Sequence, residues 1–425
     1  MKHVKSWQAC ALAVVTLAAL TSGATAAESD PEHDYANQTP YGTPEESVKT
    51  PPNGYTMFFL ETVGRHGARS MTSDNRETEA LQLWKRAATQ GELTRLGETF
   101  ARDVGRFQNA EEEIGYGKLS GVGREEWQGI GRRNAETYAD FFASLDRRDE
   151  TIVTNTTEVT RTKQSAEAMH QGLRKAGLTL DTELVPLAEA EDVLHIRSEA
   201  SSTGENMTEE ILDRDSIRGH AEHLLRALYS REFVDRLDDP VADALNIYKL
   251  YSTAPGMANE TDITFARYVP EEDREPLSYA TDVETFYQYG PGVEGETDTF
   301  DSARPLLADF FKALDDRIAG SSTAAVLRFA HGETTMPFAS LINAPGSTEQ
   351  VAEGERFTRG TNPWRGAKAG RLAGHIEWTA FRNAEKDVLV TMRYNEKPVQ
   401  FNESCTPYAE ASYFYTVDEL KRCLG

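Results

Sequence analysis

The chain has 425 residues and a formal net charge of −24 at pH 7. This length suits one large domain with an insertion, or two domains, better than one simple core. The negative charge argues against non-specific binding to nucleic acid or to anionic membranes, which requires a basic face. A local group of arginines can still attract an anionic substrate into a pocket.

The N-terminus has the features of a secretion signal. Lys2 and Lys5 precede an apolar run, WQACALAVVTLAAL, that is too short for a comfortable membrane span. The small residues SGATAA follow, so we expect cleavage after Ala26 or Ala27, giving a signal peptide at 1–27. Residues 28–52 are polar and proline-rich and predict a flexible leader. The mature protein is expected to be secreted or periplasmic and to have no membrane contact.

After the leader, strand-like and helix-like segments alternate. GYTMFFLETV, TIVTNTTEVT, TELVPLA, TAAVLRFA and DVLVTMRYN have the composition of strands. Segments with apolar residues at helical spacing separate them, and the stretch from about residue 195 to 300 is mostly helical and polar. This order predicts an α/β fold with a mostly parallel central sheet that helices cover on both faces. We assign 53–190 to the first part of the core, 191–300 to a helical cap, and 301–425 to the second part of the core with the tail.

Two distant segments share the order of strand, histidine motif and helix. MFFLETVGRHGAR contains His66, and AAVLRFAHGETTMPF contains His331 with Glu333 behind it. Ligands bind beyond the carboxyl ends of parallel strands, so both motifs are expected to line one pocket.

These residue types fit phosphoryl transfer without a metal. Arg65 and Arg69 provide planar guanidinium groups that bond two phosphate oxygens at once and stay charged. The transferring group needs mainly positioning and charge neutralisation. A neutral His66 imidazole is a competent nucleophile, and a carboxylic acid such as Glu333 can protonate the departing oxygen.

The motifs resemble those of the histidine acid phosphatase branch of the phosphoglycerate mutase-like superfamily. RHGAR and HGE carry the resemblance, which covers roughly residues 53–425. YGKLSGVGREEWQGIGRR is similar to a family segment, and TRTKQSAEAMHQGL is similar to the junction that carries a further phosphate-binding arginine, here Arg161. The resemblance implies a three-layer α/β sandwich with a mainly helical cap, and catalysis through a phosphohistidine with no cofactor or metal.

Within this family, HGETTMP and RYNEKPV are most similar to multiple inositol polyphosphate phosphatases, the histidine-type phytases. This likeness implies an inositol polyphosphate such as phytate as the substrate. It also implies His66 as the nucleophile and Glu333 as the proton donor. The residues implied to bind the transferring phosphate are Arg65, Arg69, Arg161 and His331.

The sequence departs from the family pattern at two places. Met71 stands where the family has proline, and Gly332 stands where the inositol phosphatases have alanine. Both changes are expected to alter loop stiffness and pocket shape more than the class of reaction.

Other readings stay open. A broad-specificity acid phosphatase or sugar-phosphate phosphatase would use the same mechanism, and an inactive extracellular binding protein could keep the scaffold. A polyphosphate substrate would need further basic residues at the rim, and the candidates are Arg76, Lys85, Arg86 and Lys118. The pair His220 and His223 is interpreted as a solvated helix face, and no role is assigned to His170, His195 and His375.

Of the three cysteines, Cys10 leaves with the signal peptide. Cys405 and Cys423 are expected to form a disulfide near the C-terminus, because the protein is exported. Two cysteines alone do not make a zinc site.

Overall fold

A mixed sheet of eight strands lies at the centre of the computed structural model, which describes residues 34–43, 48–177, 182–185, 191–196, 198 and 200–425. The predicted signal peptide lies outside these residues, as do 28–33 and 44–47 of the predicted leader. The strands are β1 (Thr56–Arg65), β2 (Thr151–Thr156), β3 (Thr182–Val185), β4 (Thr323–Ala330), β5 (His375–Arg382), β6 (Val388–Tyr394), β7 (Lys397–Val399) and β8 (Tyr415–Thr416).

The strands follow the order β3-β2-β4-β1-β5-β6-β7, and β8 pairs with β6. The pairs β2–β3, β2–β4 and β1–β4 are parallel, as predicted. From β5 onward the pairing is antiparallel. The sequence did not indicate β5, because this strand is buried on both faces and carries polar residues inside the core. One of them, Glu377, is paired with Arg393 of β6.

Sixteen α-helices occur in the described part of the chain. They are α1 (Asn75–Gln90), α2 (Gly97–Ile114), α3 (Gly121–Thr137), α4 (Ala139–Arg148), α5 (Thr160–Lys175), α6 (Glu191–Leu194), α7 (Ser202–Leu212), α8 (Asp215–Leu228), α9 (Arg231–Val234), α10 (Pro240–Thr253), α11 (Glu271–Tyr289), α12 (Asp298–Asp301), α13 (Arg304–Ile318), α14 (Gly332–Leu341), α15 (Gly366–Ala369) and α16 (Val417–Leu424). None of the described helices is long and apolar enough to cross a membrane.

Helices cover both faces of the sheet and make a three-layer sandwich. On one face, α13 and α16 pack through Phe310 and Leu420 against the apolar side chains of β1. On the other face, α3 and α5 pack through Trp127 and Met169. Because successive side chains of a strand point to opposite faces, neighbouring residues of β4 contribute to the two different cores. The predicted α/β sandwich is confirmed.

A further group of helices forms its own apolar core. Helices α1, α2, α8 and α10 pack around Phe100, Leu224 and Tyr251. Since α1 and α2 precede residue 191, they share this core with helices that the sequence assigned to the cap. The boundaries given for the cap, 191–300, therefore stay a prediction.

The tail is fixed to the sandwich by a disulfide. Cys405 and Cys423 are bonded, with their Cα atoms 5.3 Å apart. Val417 and Leu424 of α16 join the same apolar core as β1 and β6. The predicted pairing of the two cysteines is confirmed.

Candidate active site

The two histidine motifs leave the sheet side by side. In the parallel pair β1–β4, Arg65 is in register with Ala330, so His66 and His331 follow at the same edge. The backbone N–H of His66 donates to the carbonyl of Ala330 at 2.9 Å. The ring centroids of His66 and His331 are 5.7 Å apart, and the two residues are only 2% and 1% exposed. The predicted convergence of the two motifs is confirmed.

His66 is held as a neutral imidazole with one nitrogen free to react. Its Nδ1 lies 2.9 Å from the carbonyl oxygen of Gly67. A carbonyl only accepts, so Nδ1 carries the proton and Nε2 keeps its lone pair. Burial, followed by the positive charges of Arg161 and Arg65, lowers the pKa of His66 well below its ordinary value. The ring therefore stays uncharged in mildly acidic solution.

Two helices hold the loop that follows His66. The N–H of Gly67 donates to Ser165 Oγ at 3.1 Å, and the N–H of Ala68 donates to Glu126 Oε2 at 2.7 Å. Burial raises the pKa of Glu126 to about 7, although the N–H groups of Tyr41 and Ala68 act in the opposite direction. Helix α3 approaches so closely that a Cβ at Gly123 would lie 2.1 Å from the Ala68 oxygen. Neither Glu126 nor Ser165 is among the site residues predicted from the sequence.

Three arginines surround the histidines without carboxylate partners. Arg65 donates to the carbonyls of Asn37 and Gly370, and Arg69 donates to the carbonyl of Ser70 at 2.7 Å. The Nε atoms of Arg65, Arg69 and Arg161 are buried without a hydrogen-bond partner among the described residues. Within the same part of the chain, none of the three guanidinium groups forms a salt bridge.

The Glu333 carboxylate acts on all three positive charges and compensates them only in part. Burial lowers the pKa of Arg65 to about 10 and that of Arg69 to about 9; neighbouring guanidinium groups act in the same direction, and Glu333 acts against them. Burial also lowers the pKa of Arg161. Both effects disfavour the charged forms, and a bound dianion would reverse them. The arrangement suits a small anion such as a phosphate group.

His331 carries its proton on the other nitrogen. Arg161 Nη2 lies 3.2 Å from His331 Nδ1, and Thr157 Oγ1 lies 2.9 Å from His331 Nε2. A guanidinium only donates, so Nδ1 accepts and Nε2 holds the proton. Burial lowers the pKa of His331 to about 4. The lone pair of His331 is thus occupied by Arg161, whereas that of His66 is free.

Glu333 lies at the beginning of α14, two residues after His331. Burial alone would raise the pKa of this carboxyl, but His331, its own backbone N–H and Arg65 outweigh burial and lower the pKa. A Cβ at Gly332 would lie 3.2 Å from Arg65 Nε. The glycine at this position therefore leaves the Arg65 side chain more room than an alanine would.

His195 is a site residue that the sequence did not indicate. Its ring centroid lies 5.6 Å from that of His331, and its charge contributes to lowering the pKa of His331. It follows the short helix α6, whose last carbonyl, that of Leu194, accepts from Thr334 Oγ1 of α14 at 2.7 Å. No local pattern in the sequence marks this histidine.

The other histidines lie outside this group. His220 Nδ1 and His223 Nδ1 lie 2.8 Å and 2.7 Å from the two carboxylate oxygens of the buried Asp273. The pair is partly exposed, as the interpretation of a solvated helix face expects, and it also ties α8 to α11. His170 bonds to Thr154, and His375 is buried among the aromatic rings of Tyr41 and Trp127. Among the described residues, no group of three or more histidine, cysteine or acidic side chains is arranged to hold a metal.

A three-layer sandwich with histidines and arginines at the carboxyl edge of its parallel strands is the architecture of a histidine phosphatase. A model of the histidine phosphatase superfamily (branch 2) matches residues 56–395. The chain belongs to this superfamily, and the predicted family and phosphomonoester hydrolase class are confirmed. A search of curated proteins by sequence gave no match.

Solved structures agree with this assignment. Bifidobacterium longum multiple inositol polyphosphate phosphatase in complex with inositol hexasulfate is 25% identical, with a TM-score of 0.84 and coverage of 92% of this chain and 97% of that chain. Its apo form gives a TM-score of 0.85 with the same identity and coverage. The D. castellii phytase, 13% identical with a TM-score of 0.65, covers 93% of this chain and 84% of its own and shares the fold.

Proposed function

We propose that the protein hydrolyses inositol polyphosphates, phytate in particular, through a phosphohistidine and without a metal. One observation carries the mechanism: the Nε2 of a neutral His66 accepts no hydrogen bond among the described residues, and the charges of three arginines that form no salt bridge there act on the ring. The substrate class is supported by the similarity to a phosphatase that was crystallised with inositol hexasulfate.

The first step transfers the phosphoryl group to the enzyme. The residues that bind the phosphate and spread its charge are Arg65, Arg69, Arg161 and His331. His66 Nε2 attacks phosphorus, so an N–P bond forms while the bond between phosphorus and the inositol oxygen breaks. The departing oxygen takes the proton of the Glu333 carboxyl and leaves as an alcohol.

The second step returns the enzyme to its starting state. The Glu333 carboxylate takes a proton from a water molecule, whose oxygen attacks the phosphorus. The N–P bond breaks, its electron pair returns to His66 Nε2, and inorganic phosphate leaves. The same guanidinium groups stabilise the charge in both steps.

This mechanism favours acidic solution. His66 must be neutral, and its lowered pKa keeps it so below the usual range of histidine. Glu333 must be protonated for the first step, and its pKa is lowered by the surrounding cations. Substrate phosphates bring negative charge that raises the pKa of Glu333 again, so binding and protonation support each other.

Secretion is part of the proposal. It rests on the basic N-terminus, the apolar run and the small residues before Ala27, together with the disulfide near the C-terminus. The mature protein would then act outside the cytoplasm on a small phosphate ester.

The test is phosphate release from phytate by the purified mature protein in EDTA. We expect release by the wild type and a loss of more than about 10³-fold for His66→Ala. Glu113→Ala, at an exposed position of α2, is the control and should keep the activity. Cleavage of p-nitrophenyl phosphate without cleavage of phytate would indicate a broad-specificity phosphatase. Hydrolysis of neither would indicate a binding protein.

A further inference from the structure

A segment of the predicted leader packs against the core beside the site. We call the residues Asp34–Tyr41 the N-terminal strap, and a short 3-10 helix covers Ala36–Gln38 within it. The Ala36 and Thr39 side chains are buried. The Oγ1 and the N–H of Thr39 donate to the carbonyl of Ala36 at 2.8 Å and 3.2 Å, which closes the turn. The backbone of the strap therefore follows one defined path across the core.

The two ends of the strap are anchored on different helices. At its first residue, the carbonyl of Asp34 accepts from Tyr248 Oη of α10 at 2.9 Å. At its last residue, the N–H of Tyr41 donates to Glu126 Oε1 of α3 at 2.7 Å. The other oxygen of this carboxylate accepts from the N–H of Ala68. One buried carboxylate thus joins the strap to the loop that carries the nucleophile.

Between these anchors the strap contacts Arg65. Nη1 of this guanidinium donates to the carbonyls of Asn37 and Gly370, so both of its hydrogens are used. A Cβ at Gly370 would lie 3.2 Å from the Asn37 Cβ, which shows how closely the two segments approach. Among the described residues, Nε and Nη2 of Arg65 have no hydrogen-bond partner. These two atoms form the parallel edge of the guanidinium that can bind two oxygens of one phosphate.

This unpartnered edge lies beside the second histidine motif. A Cβ at Gly332 would lie 3.2 Å from Arg65 Nε, and Gly332 stands between His331 and Glu333. A rotation of the Arg65 side chain would turn the edge away from the motif and would break both bonds of Nη1. The carbonyls that receive Nη1 therefore fix the direction of the edge, and the strap supplies one of the two.

We propose that the N-terminal strap is a positioning element of the active site, which orients Arg65 so that its Nε–Nη2 edge binds the phosphate being transferred. The inference rests on the proposed function, in which Arg65 is a phosphate ligand. The strap acts in this role through the backbone carbonyl of Asn37 and not through a side chain. Activity thus depends on a segment that lies shortly after the predicted cleavage site, and its removal by a protease would inactivate the enzyme.

Two variants at one position of the strap test the inference without a change at Arg65. Ala36 has a φ of 47°, a left-handed conformation that glycine adopts readily and a β-branched residue does not. Ala36→Val should therefore displace the Asn37 carbonyl, whereas Ala36→Gly should keep it in place. Calorimetry at pH 6 gives the Kd of inorganic phosphate for the mature protein. We expect this Kd to rise about tenfold in Ala36→Val and to stay within about twofold in Ala36→Gly.

A double-mutant cycle shows whether Arg65 is the group that responds. Arg65→Lys keeps the positive charge but has no planar edge for the strap to orient. In the Arg65→Lys background, Ala36→Val should therefore raise the Kd of phosphate by less than about twofold. An equal rise in both backgrounds would show that the strap acts on another part of the site. That result, or an unchanged Kd in Ala36→Val alone, would overturn the proposal.

The anchor of the strap provides a second test in case Ala36→Val does not fold. Tyr248→Phe removes the hydroxyl that holds Asp34, so the strap is loosened and the Kd of phosphate should rise about threefold. Tyr268→Phe is the control, because its buried hydroxyl belongs to the same apolar core but contacts Asp103 at 2.8 Å. Thermal unfolding verifies that each variant is folded. Equal Kd values for the two tyrosine variants would contradict the proposal.

Phosphate binding also separates this inference from the proposed function, because binding requires no hydrolysis. A wild type that binds phosphate but cannot hydrolyse phytate would refute the proposed function, and a weaker affinity in Ala36→Val would still support the strap. A wild type that hydrolyses phytate, with the same kcat and KM in Ala36→Val and Ala36→Gly, would refute the strap and leave the proposed function standing. A purely structural role would lower the unfolding temperature of Ala36→Val and leave the Kd of its folded form unchanged.

Discussion

At the scale of single residues, two histidines of one site have opposite proton positions. His66 donates from Nδ1 to the carbonyl of Gly67, whereas His331 accepts at Nδ1 from Arg161. Only His66 therefore presents an unoccupied lone pair, which supports its assignment as the nucleophile. His331 is placed by the same contacts to orient Arg161. The difference arises from the partners of each ring and not from the residue type.

Replacing Glu333 tests its role as proton donor. Glu333→Gln should lower kcat on phytate by about 10²–10³-fold, because an amide cannot protonate the departing alkoxide. The loss should be much smaller with p-nitrophenyl phosphate, whose leaving group departs as a stable anion. Steady-state kinetics on both substrates near pH 5 measures the difference. Equal losses on the two substrates would show that Glu333 mainly binds or positions the phosphate.

At the scale of elements, the reactive loop depends on close packing by α3. Glycine at 123 allows the helix to approach the Ala68 carbonyl, and Glu126 of the same helix accepts from the N–H of Ala68. Ser120 begins the helix by accepting from the N–H of Gly123 at 3.1 Å. One helix thus both supports the loop and limits its position.

Substitution of this glycine should affect stability and activity together. A Cβ at Gly123 would overlap the Ala68 oxygen, so Gly123→Ala should destabilise the fold by about 1–3 kcal/mol and displace the His66 loop. Gly105→Ala on α2 is the matched control, because no atom lies within 4 Å of its Cβ position. It should be neutral or stabilising by about 0.5–1 kcal/mol. Urea unfolding measures the stability of both variants, and phosphate release measures their activity. If Gly123→Ala is as stable and as active as Gly105→Ala, the packing argument is contradicted.

At the scale of the whole molecule, buried carboxyl groups make the fold more stable in acidic than in alkaline solution. Burial raises the pKa of Glu61 to about 8 and that of Glu111 to about 9. Glu111 accepts from the N–H of Met71 at 2.5 Å, a bond that the family's proline cannot make. Each raised pKa means that the folded protein holds a proton that the unfolded chain releases. The associated stability is complete below the ordinary pKa of glutamate and is lost as the pH rises through the folded value.

Glu111→Gln tests this dependence. The amide mimics the protonated carboxyl at every pH, so the variant should lose less stability than the wild type between about pH 5 and pH 9. Glu112→Gln, at the exposed neighbouring position, should follow the wild type. Thermal unfolding at several pH values gives the comparison. Parallel curves for Glu111→Gln and the wild type would show that Glu111 is already ionised in the folded protein.

The sequence by itself determined the features that depend on residues close to one another along the chain. The apolar runs predicted β1, β2, β4 and β6, and the RHGAR and HGE motifs predicted that His66, His331 and the arginines would meet at one sheet edge. The pairing of Cys405 with Cys423 also followed from the cysteine count and the predicted export. These predictions succeeded because strand periodicity, motif spacing and the direction of parallel strands are local or general properties.

The tertiary structure alone decided which other residues join the site. Glu126 contacts Ala68 across 58 residues of sequence, and His195 comes from a segment that the sequence assigned to the cap. The strand β5 was missed because the partners of its buried Glu377, namely Arg393, Asn134 and Tyr138, lie on other elements. The proton positions of the two histidines likewise depend on partners supplied by folding. Burial and long-range contacts set these properties, and neither is encoded in a local pattern of residues.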